Sequence, residues 1–431
     1  MKLELERQNF LKAWQIAEKV AQTKTTKDAI SGILVTASDF EITLEATDLK
    51  TSVKCKAVGA NVLEPGSAVI PASIFGSMLK KSPSEDLVLE VNSSRGILKA
   101  GRNKTRFAVI PTEEFPQIPE SENAEELCTL LADDLSRIIA EGTIAASQPQ
   151  DFPRYMGTCL LKTDEGYLRA VATDGKRLSI SKVICTNVAK EQEALITAAA
   201  LKDLGKTLAS SYSEKDVKIL VDASTVWFKL EDVEFSIRKV DASFPTYMRI
   251  LNQEIYSTLR VKTTDLIPML ERIDIIARTN PAHIMAMSIT SGTGEVRVIA
   301  RSPEHGTVTD VLYADVDRGY LQVGYNLTFF QDGLKAIGPG EARIEFSSEE
   351  GQTRMYRGDS DEFLYMLMPA RLSAQDRLTE EEIVDFSNRT EEPQPLPEQA
   401  PEENHEEPHN ENNNQEQEQQ QQEEQNTDAP F

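Results

Sequence analysis

The chain has 431 residues, 40% of them hydrophobic, and a formal net charge of −24, which is length enough for about two to four domains with cores of their own. Residues 373–431 hold 18 acidic and 2 basic residues, a net of −16, so only −8 of the total falls on residues 1–372; such a body is no uniformly basic nucleic-acid coat, though it leaves room for a locally basic surface. Cys55, Cys128, Cys159 and Cys185 form no C-x-x-C pair, the N-terminus mixes charges too early for a signal peptide, and no apolar run nears the roughly 18 residues of a membrane span, so a reduced, soluble, cytoplasmic protein with no membrane partner is expected.

The chain opens with LELERQNFLKAWQIAEKVAQ from Leu3, alternation that turns into 3.6-residue spacing and predicts a strand running into an amphipathic helix. A pair of strands follows in GILVTASDFEITLEATDL from Gly32, then a second strand–helix–strand unit in SAVIPASIFGSMLKKSPSEDLVLEV from Ser67. The same order returns from Thr129 (TLLADDLSRIIAEGTIAAS), Gly157 (GTCLLKTDEGYLRAVATDG) and Glu193 (EALITAAALKDLGKTLASSYSEKDVKILV). It returns again from Leu259 (LRVKTTDLIPMLERIDIIAR), Ala286 (AMSITSGTGEVRVIARSPEHG) and Tyr320 (YLQVGYNLTFFQDGLKAIGPGEARIEF). The period of roughly 126 residues is too long for a solenoid repeat and suits domains.

The predicted fold is therefore α+β, with three tandem similar domains of two strand–helix–strand units each. The expected boundaries are 1–124, 125–252 and 253–372, with a disordered acidic tail over 373–431. That tail is Glu, Gln, Asn and Pro with almost no large apolar groups beyond residue 390, a composition that buries too little surface to offset its ordering entropy.

Enzyme signatures are missing. There is no G-x-x-x-x-G-K-[ST], G-x-S-x-G or H-E-x-x-H, and His283 and His305 have no partner at metal-ligand spacing, so no catalytic residue, metal or cofactor is expected. Asp48 and Asp174 follow strand ends at equivalent places in two repeats, which points to turn capping rather than paired acid–base carboxylates.

Three motifs then carry a resemblance: Val171-Ala172-Thr173-Asp174-Gly175-Lys176-Arg177-Leu178, Phe244-Pro245-Thr246-Tyr247, and Tyr365-Met366-Leu367-Met368-Pro369-Ala370-Arg371-Leu372. In this order, on three matching domains, they make residues 1–372 resemble the bacterial beta sliding clamps, the processivity subunits of DNA polymerase III. The resemblance implies a head-to-tail homodimer, a six-domain ring with helices lining the hole around double-stranded DNA. It implies DNA polymerase III and other polymerases, the clamp loader, mismatch-repair proteins and other clamp-motif proteins as partners. These would bind a cleft walled by Met156, Thr173, Gly175, Arg177, Leu178, Pro245, Arg249, Ile250, Met366, Met368, Pro369, Ala370, Arg371 and Leu372. Lys24 and Tyr155 fall where the family faces DNA, and the helix bases Lys12, Lys80, Arg137, Lys202 and Arg278 are expected to join them. Phe107 and Val109 would meet Ile275 or Ile276 of the partner at the dimer seam.

Two departures from the family pattern stand out: Ala198-Ala199 replaces a basic pair, and Lys176 stands where histidine is common. A repeat scaffold that binds only proteins is the competing reading, and the basic helix faces favour the ring, whose phosphate contacts would be sequence-independent and salt-sensitive. In the tail, Ile383, Val384 and Phe386 are spaced somewhat like the anchors of clamp-binding peptides.

Overall fold

The computed structural model describes residues 1–21, 28–148, 151–188, 191–379 and 382. Lys24, the segment Ile383–Phe386 and the remainder of the chain after it lie outside the described residues. The chain divides into a unit spanning Met1–Leu378 and a second spanning Thr379–Phe431, so residues 373–378, expected to belong to the tail, fall within the first unit.

The first repeat runs β1 (Lys2–Glu6), α1 (Arg7–Val20), β2 (Gly32–Ala37), β3 (Ile42–Thr47), β4 (Thr51–Lys56), β5 (Ala60–Glu64), β6 (Gly66–Pro71), α2 (Ala72–Lys81), β7 (Asp86–Val91), β8 (Arg95–Ala100) and β9 (Asn103–Ala108). The second runs β10 (Glu125–Leu131), α3 (Ala132–Gly142), β11 (Thr158–Asp164), β12 (Tyr167–Thr173), β13 (Arg177–Ile184), β14 (Glu193–Thr197), α4 (Ala198–Ser211), β15 (Asp216–Val221), β16 (Thr225–Lys229) and β17 (Val233–Arg238). The third runs β18 (Ser257–Lys262), α5 (Thr263–Ala277), β19 (Ile284–Thr290), β20 (Glu295–Ser302), β21 (Gly306–Tyr313), β22 (Asp315–Val316), β23 (Tyr320–Asn326), α6 (Leu327–Ile337), β24 (Glu341–Phe346), β25 (Thr353–Arg357) and β26 (Phe363–Leu367).

The helices form where the 3.6-residue pattern predicts. Helix α1 buries Phe10, Ala13, Trp14 and Ala17, one stripe at i, i+3, i+4 and i+7. Within each repeat the two helices pack on each other, and in the first the indole of Trp14 donates to the Ala72 carbonyl at 3.1 Å. The first two repeats share one apolar core, and the third has its own.

The sheets ignore repeat boundaries. One eight-stranded sheet has the order β10-β15-β16-β17-β4-β3-β2-β6, and a nine-stranded sheet has the order β14-β11-β12-β13-β26-β25-β24-β18-β22. The first joint is the antiparallel pair β17–β4, with Ser236 opposite Ser52; the second is β13–β26, with Leu178 opposite Met366. The remaining two sheets, β5-β1-β7-β8-β9 and β21-β20-β19-β23, leave β9 and β21 as edges.

The joint strands are the elements that the sequence reading missed, because it placed only a strand pair after each first helix and one strand after each second. The two that stand at sheet edges lack a period-two apolar signal: β9 buries only Phe107, and no residue of β21 is fully buried. The second joint is further tied by Glu141, at the end of α3, which is 5% exposed. Its carboxylate accepts from Arg357 at 2.7 Å and from the Ser181 hydroxyl.

Two glycines fix how closely α3 packs. A Cβ on Gly142 would sit 2.7 Å from the Ala170 carbonyl oxygen of β12, whereas one on Gly205 of α4 would meet only the Ile139 side chain, at 3.1 Å. Backbone cannot yield as a side chain can, so Gly142→Ala is expected to cost about 2 kcal/mol through overpacking. Gly205→Ala should change stability by less than about 1 kcal/mol, since the gain in helix propensity offsets the tighter contact. Chemical denaturation of the two variants checks this, and equal losses would show that α3 and the sheet can separate freely.

Candidate peptide cleft and basic helix face

The outer face of the second joint carries a small apolar cluster separate from both cores. Its buried members are Leu160, Val171, Leu178, Leu195 and Met366, with Ile180, Val240, Ala242, Phe244, Tyr247 and Leu251 packed around them. Strands β11 and β12 can supply it because they are apolar on both faces: Cys159 and Leu161 serve the large core, while Leu160 between them points to the cleft. The same holds for Val171, which lies beside the core residue Ala170.

The connection after β17 forms one wall. Phe244 stacks edge-on with Tyr155 at 6.1 Å and with Tyr247 at 6.2 Å. Pro245 is exposed beside them, and the 3-10 turn Met248–Asn252 leaves Met248, Arg249 and Ile250 exposed. The other wall is the chain after β26. Met368 extends the joint by donating its N–H to the Lys176 carbonyl at 2.9 Å, and its side chain is 42% exposed. From Pro369 onward the chain turns across β23, where Ala370 donates to the Gly324 carbonyl at 2.8 Å and Leu372 lies over Gly324. Arg371 is exposed.

The β12–β13 turn forms the end of the cleft. Asp174 accepts from the backbone N–H of Lys176 and of Arg177, both at 3.0 Å, and Thr173 donates to the Arg177 carbonyl at 2.7 Å. Gly175 holds φ at 83°, and a Cβ there would stand 3.4 Å from Met156. Asp48 makes the matching turn, accepting from Lys50 and Thr51 at 2.9 and 2.6 Å, so each carboxylate holds its own turn.

Arg177 was expected simply as a cleft wall, yet its guanidinium is committed. It donates to Asp174 at 3.0 Å, Asp332 at 2.6 Å and the Tyr365 hydroxyl at 3.3 Å, and lies over the Phe329 ring at 4.1 Å. It therefore ties α6 of the third repeat to the turn of the second.

The helix bases are less uniform than their sequence positions suggest. Lys12 and Lys80 line one cavity of about 880 Å³ together with Lys19. Lys12 has no carboxylate partner among the described residues, while Lys80 pairs with Glu18 at 2.9 Å. Arg137 lies among Asp134, Glu141 and Glu362, and Arg278 pairs with Asp274. Desolvation, followed by the Arg177 charge, holds the Lys202 ammonium below the ordinary lysine range. Tyr155 packs into the cleft's aromatic group.

The expected seam residues sit on two distant repeats. Phe107 is 8% exposed, with its ring against Phe75 at 5.4 Å. Val109 packs on the same core, Ile275 on α5 is 63% exposed, and Ile276 packs against the third repeat's core.

Three repeated α+β domains joined edge to edge, with an apolar cleft over one joint, define a modular repeat protein. The family models of the DNA polymerase III beta subunit match it in order: the N-terminal domain over residues 1–119, the central domain over 129–246 and the C-terminal domain over 248–371. The beta sliding clamp of Staphylococcus aureus is 25% identical over 380 residues, covering 86% of this chain and 99% of that protein. Among solved structures, the DNA polymerase sliding clamp of Bacillus subtilis superposes with a TM-score of 0.82 at 21% identity, covering 86% of this chain and 100% of that one. The beta subunit of Thermotoga maritima gives a TM-score of 0.79 at 25% identity with the same coverage. The chain belongs to the DNA polymerase III beta-subunit family, the sliding clamps.

Arg177→Ala would leave Asp174 and Asp332 without their shared cation. At a site this enclosed the loss is expected to be about 3 kcal/mol. Arg177→Lys should recover only part of it, since one ammonium cannot reproduce the planar fork. Denaturation midpoints measure both, and an alanine variant as stable as the parent would show that the tie is idle.

Proposed function

We propose that two copies of this chain close head to tail into a six-domain ring that encircles duplex DNA without reading its sequence, acting as a non-enzymatic processivity factor in the cytoplasm. In this reading the domains run 1–124, 125–252 and 253–372. The observation that carries it is the repetition of the joint. At each internal joint the strand following the Asp-containing turn of one domain pairs with the last strand of the next, as β4–β17 and β13–β26. The matching strands of the third and first domains, β21 and β9, both lie at sheet edges and form the third pair of the same kind. Unpaired strand edges are templates for another chain, and a head-to-tail contact forms a ring when its rotation closes.

The internal pairs also supply a register. Ser52 and Leu178 correspond to Thr307, as the second residue from the turn. Ser236 and Met366 correspond to Arg106, counted back from the matching bonds Ile110–Val69, Val240–Leu195 and Ala370–Gly324. The seam thus sets Arg106 opposite the partner copy's residue 307. Phe107 supports it from inside its own domain, and Ile275 offers the exposed apolar group.

DNA contact falls to the helices, where Lys12, Lys19 and Lys80 gather and where Arg137, Lys202 and Arg278 are assigned the same face, with Lys24 assigned to DNA by the family resemblance alone; such contacts position a phosphate backbone without sequence readout. The cleft over the second joint takes the short apolar motifs of polymerases, the clamp loader and repair proteins. Methionine side chains adapt to ligands of different shape, and Met366 and Met368 are placed on the floor and rim.

Two measurements test the ring. Clamp loaded on circular DNA is expected to stay bound at high salt and to leave once the circle is cut, whereas contacts to phosphate alone would be lost in salt from either form. Equal loss from circular and linear DNA would defeat the reading. For the seam, Arg106→Cys combined with Thr307→Cys should oxidise to a covalent dimer, since a disulfide needs Cβ atoms within about 4.5 Å. Arg106→Cys with Val311→Cys should yield no covalent dimer, and equal yields from both pairs would reject the register.

A further inference from the structure

The first joint repeats the architecture of the second with different side chains on its outer face. Across the second joint, register places Leu160, Val171, Ile180, Leu364 and Tyr356 side by side on five adjacent strands. Across the first, the equivalent row is Leu34, Glu45, Lys54, Glu234 and Lys229. The apolar floor is replaced by a ladder of alternating charge, in which Lys54 meets Glu45 at 3.3 Å and Lys229 meets Glu234 at 3.1 Å.

Above this ladder lies an open cavity of about 520 Å³, within the range of ligand clefts. Its apolar wall is the connection after β9, with Phe115, Pro116, Ile118 and Pro119, where Phe115-Pro116 stands as Phe244-Pro245 does at the second joint. That wall is held in place: the Trp227 indole donates to the Pro119 carbonyl at 3.4 Å, and Ser121 donates to Glu234 at 2.8 Å. The ladder lysines are neutralised by their partners. Glu120, Glu122, Glu231 and Asp232, by contrast, are exposed on the rim and make no ion pair among the described residues.

We propose that this cavity is a second peptide groove, one that takes an extended basic segment of a partner protein. Cationic side chains would meet the four rim carboxylates, and alternate apolar side chains would lie on Phe115 and Ile118. Extended chains present alternate residues to opposite sides, so a segment alternating basic and apolar residues fits. The site lies on the opposite joint from the apolar cleft and depends on neither ring closure nor that cleft's occupancy. A nucleic-acid backbone would be repelled by the same rim.

The test uses the full chain and a fluorescein-labelled ten-residue peptide alternating lysine and leucine, read by anisotropy. The charge-swapped variant carrying Glu120→Lys and Glu122→Lys is expected to bind it at least tenfold more weakly, with circular dichroism unchanged. Met368→Glu, at the other joint, should leave its affinity as it was. A peptide alternating lysine and serine should bind the parent several-fold more weakly, because it lacks groups for the apolar wall. Equal affinity of the parent and the charge-swapped variant would overturn the proposal by assigning the binding to acidic residues elsewhere on the chain. Loss of binding in Met368→Glu would overturn it in favour of the apolar cleft, and equal binding of the serine peptide would reduce it to charge attraction with no groove.

Discussion

Backbone hydrogen bonding at sheet edges governs this molecule. Every buried N–H and C=O must find a partner, and a domain built from two open sheets has edges to satisfy. Here β4 and β17 satisfy each other, as do β13 and β26, so neighbouring domains are joined by ladders rather than by side-chain contact alone. A ladder is directional and registered, since a one-residue slip would turn every side chain to the wrong face. Rigid joints of this kind set the angle between domains, and that angle decides whether a row of domains can close.

The joint also explains why a site forms where it does. Joining two sheets places residues of different domains on one continuous face, while the connecting chain must cross that face to reach the next domain. Floor and wall therefore come from segments far apart in sequence, such as Leu160, Met366 and Phe244. The Arg177 tie to Asp174 and Asp332 secures the same place from below. Charge-assisted bonds of that kind are strong and geometrically specific, which keeps the cleft's end wall from moving independently of α6.

The helices and the threefold repeat were legible in the sequence because their signal is periodic: α1 shows its buried stripe at Phe10, Trp14 and Ala17 in the letters alone. The joints were not. Strand β9 reads NKTRFA, which carries no alternation, because it lies at a sheet edge and its faces are only partly covered. The cleft floor was half legible. Leu178 and Met366 were found through their motifs, whereas Leu160, Val171 and Leu195 look like ordinary core. Their signal was available as runs of consecutive apolar residues, at 159–161 and 170–172, the mark of strands buried on both faces. Arg177 was identified, but its two carboxylates were not, because Asp332 lies 155 positions away and no local pattern links them.

The two joints show how one backbone arrangement yields surfaces of different character. Cross-strand apolar pairs and cross-strand opposite charges each stabilise a sheet by about 0.2–1 kcal/mol per pair, so Val171 beside Ile180 and Glu45 beside Lys54 serve their ladders comparably. They differ in what they leave for a ligand. The apolar row has surface still to bury, at about 25 cal/mol per Å², and attracts apolar side chains independently of salt. In the charged row the partners are already matched and resist dehydration, so attraction passes to the unmatched carboxylates at the rim, where salt screens it over about 8 Å. A chain with both joints thus carries one apolar face and one charged face on the same framework.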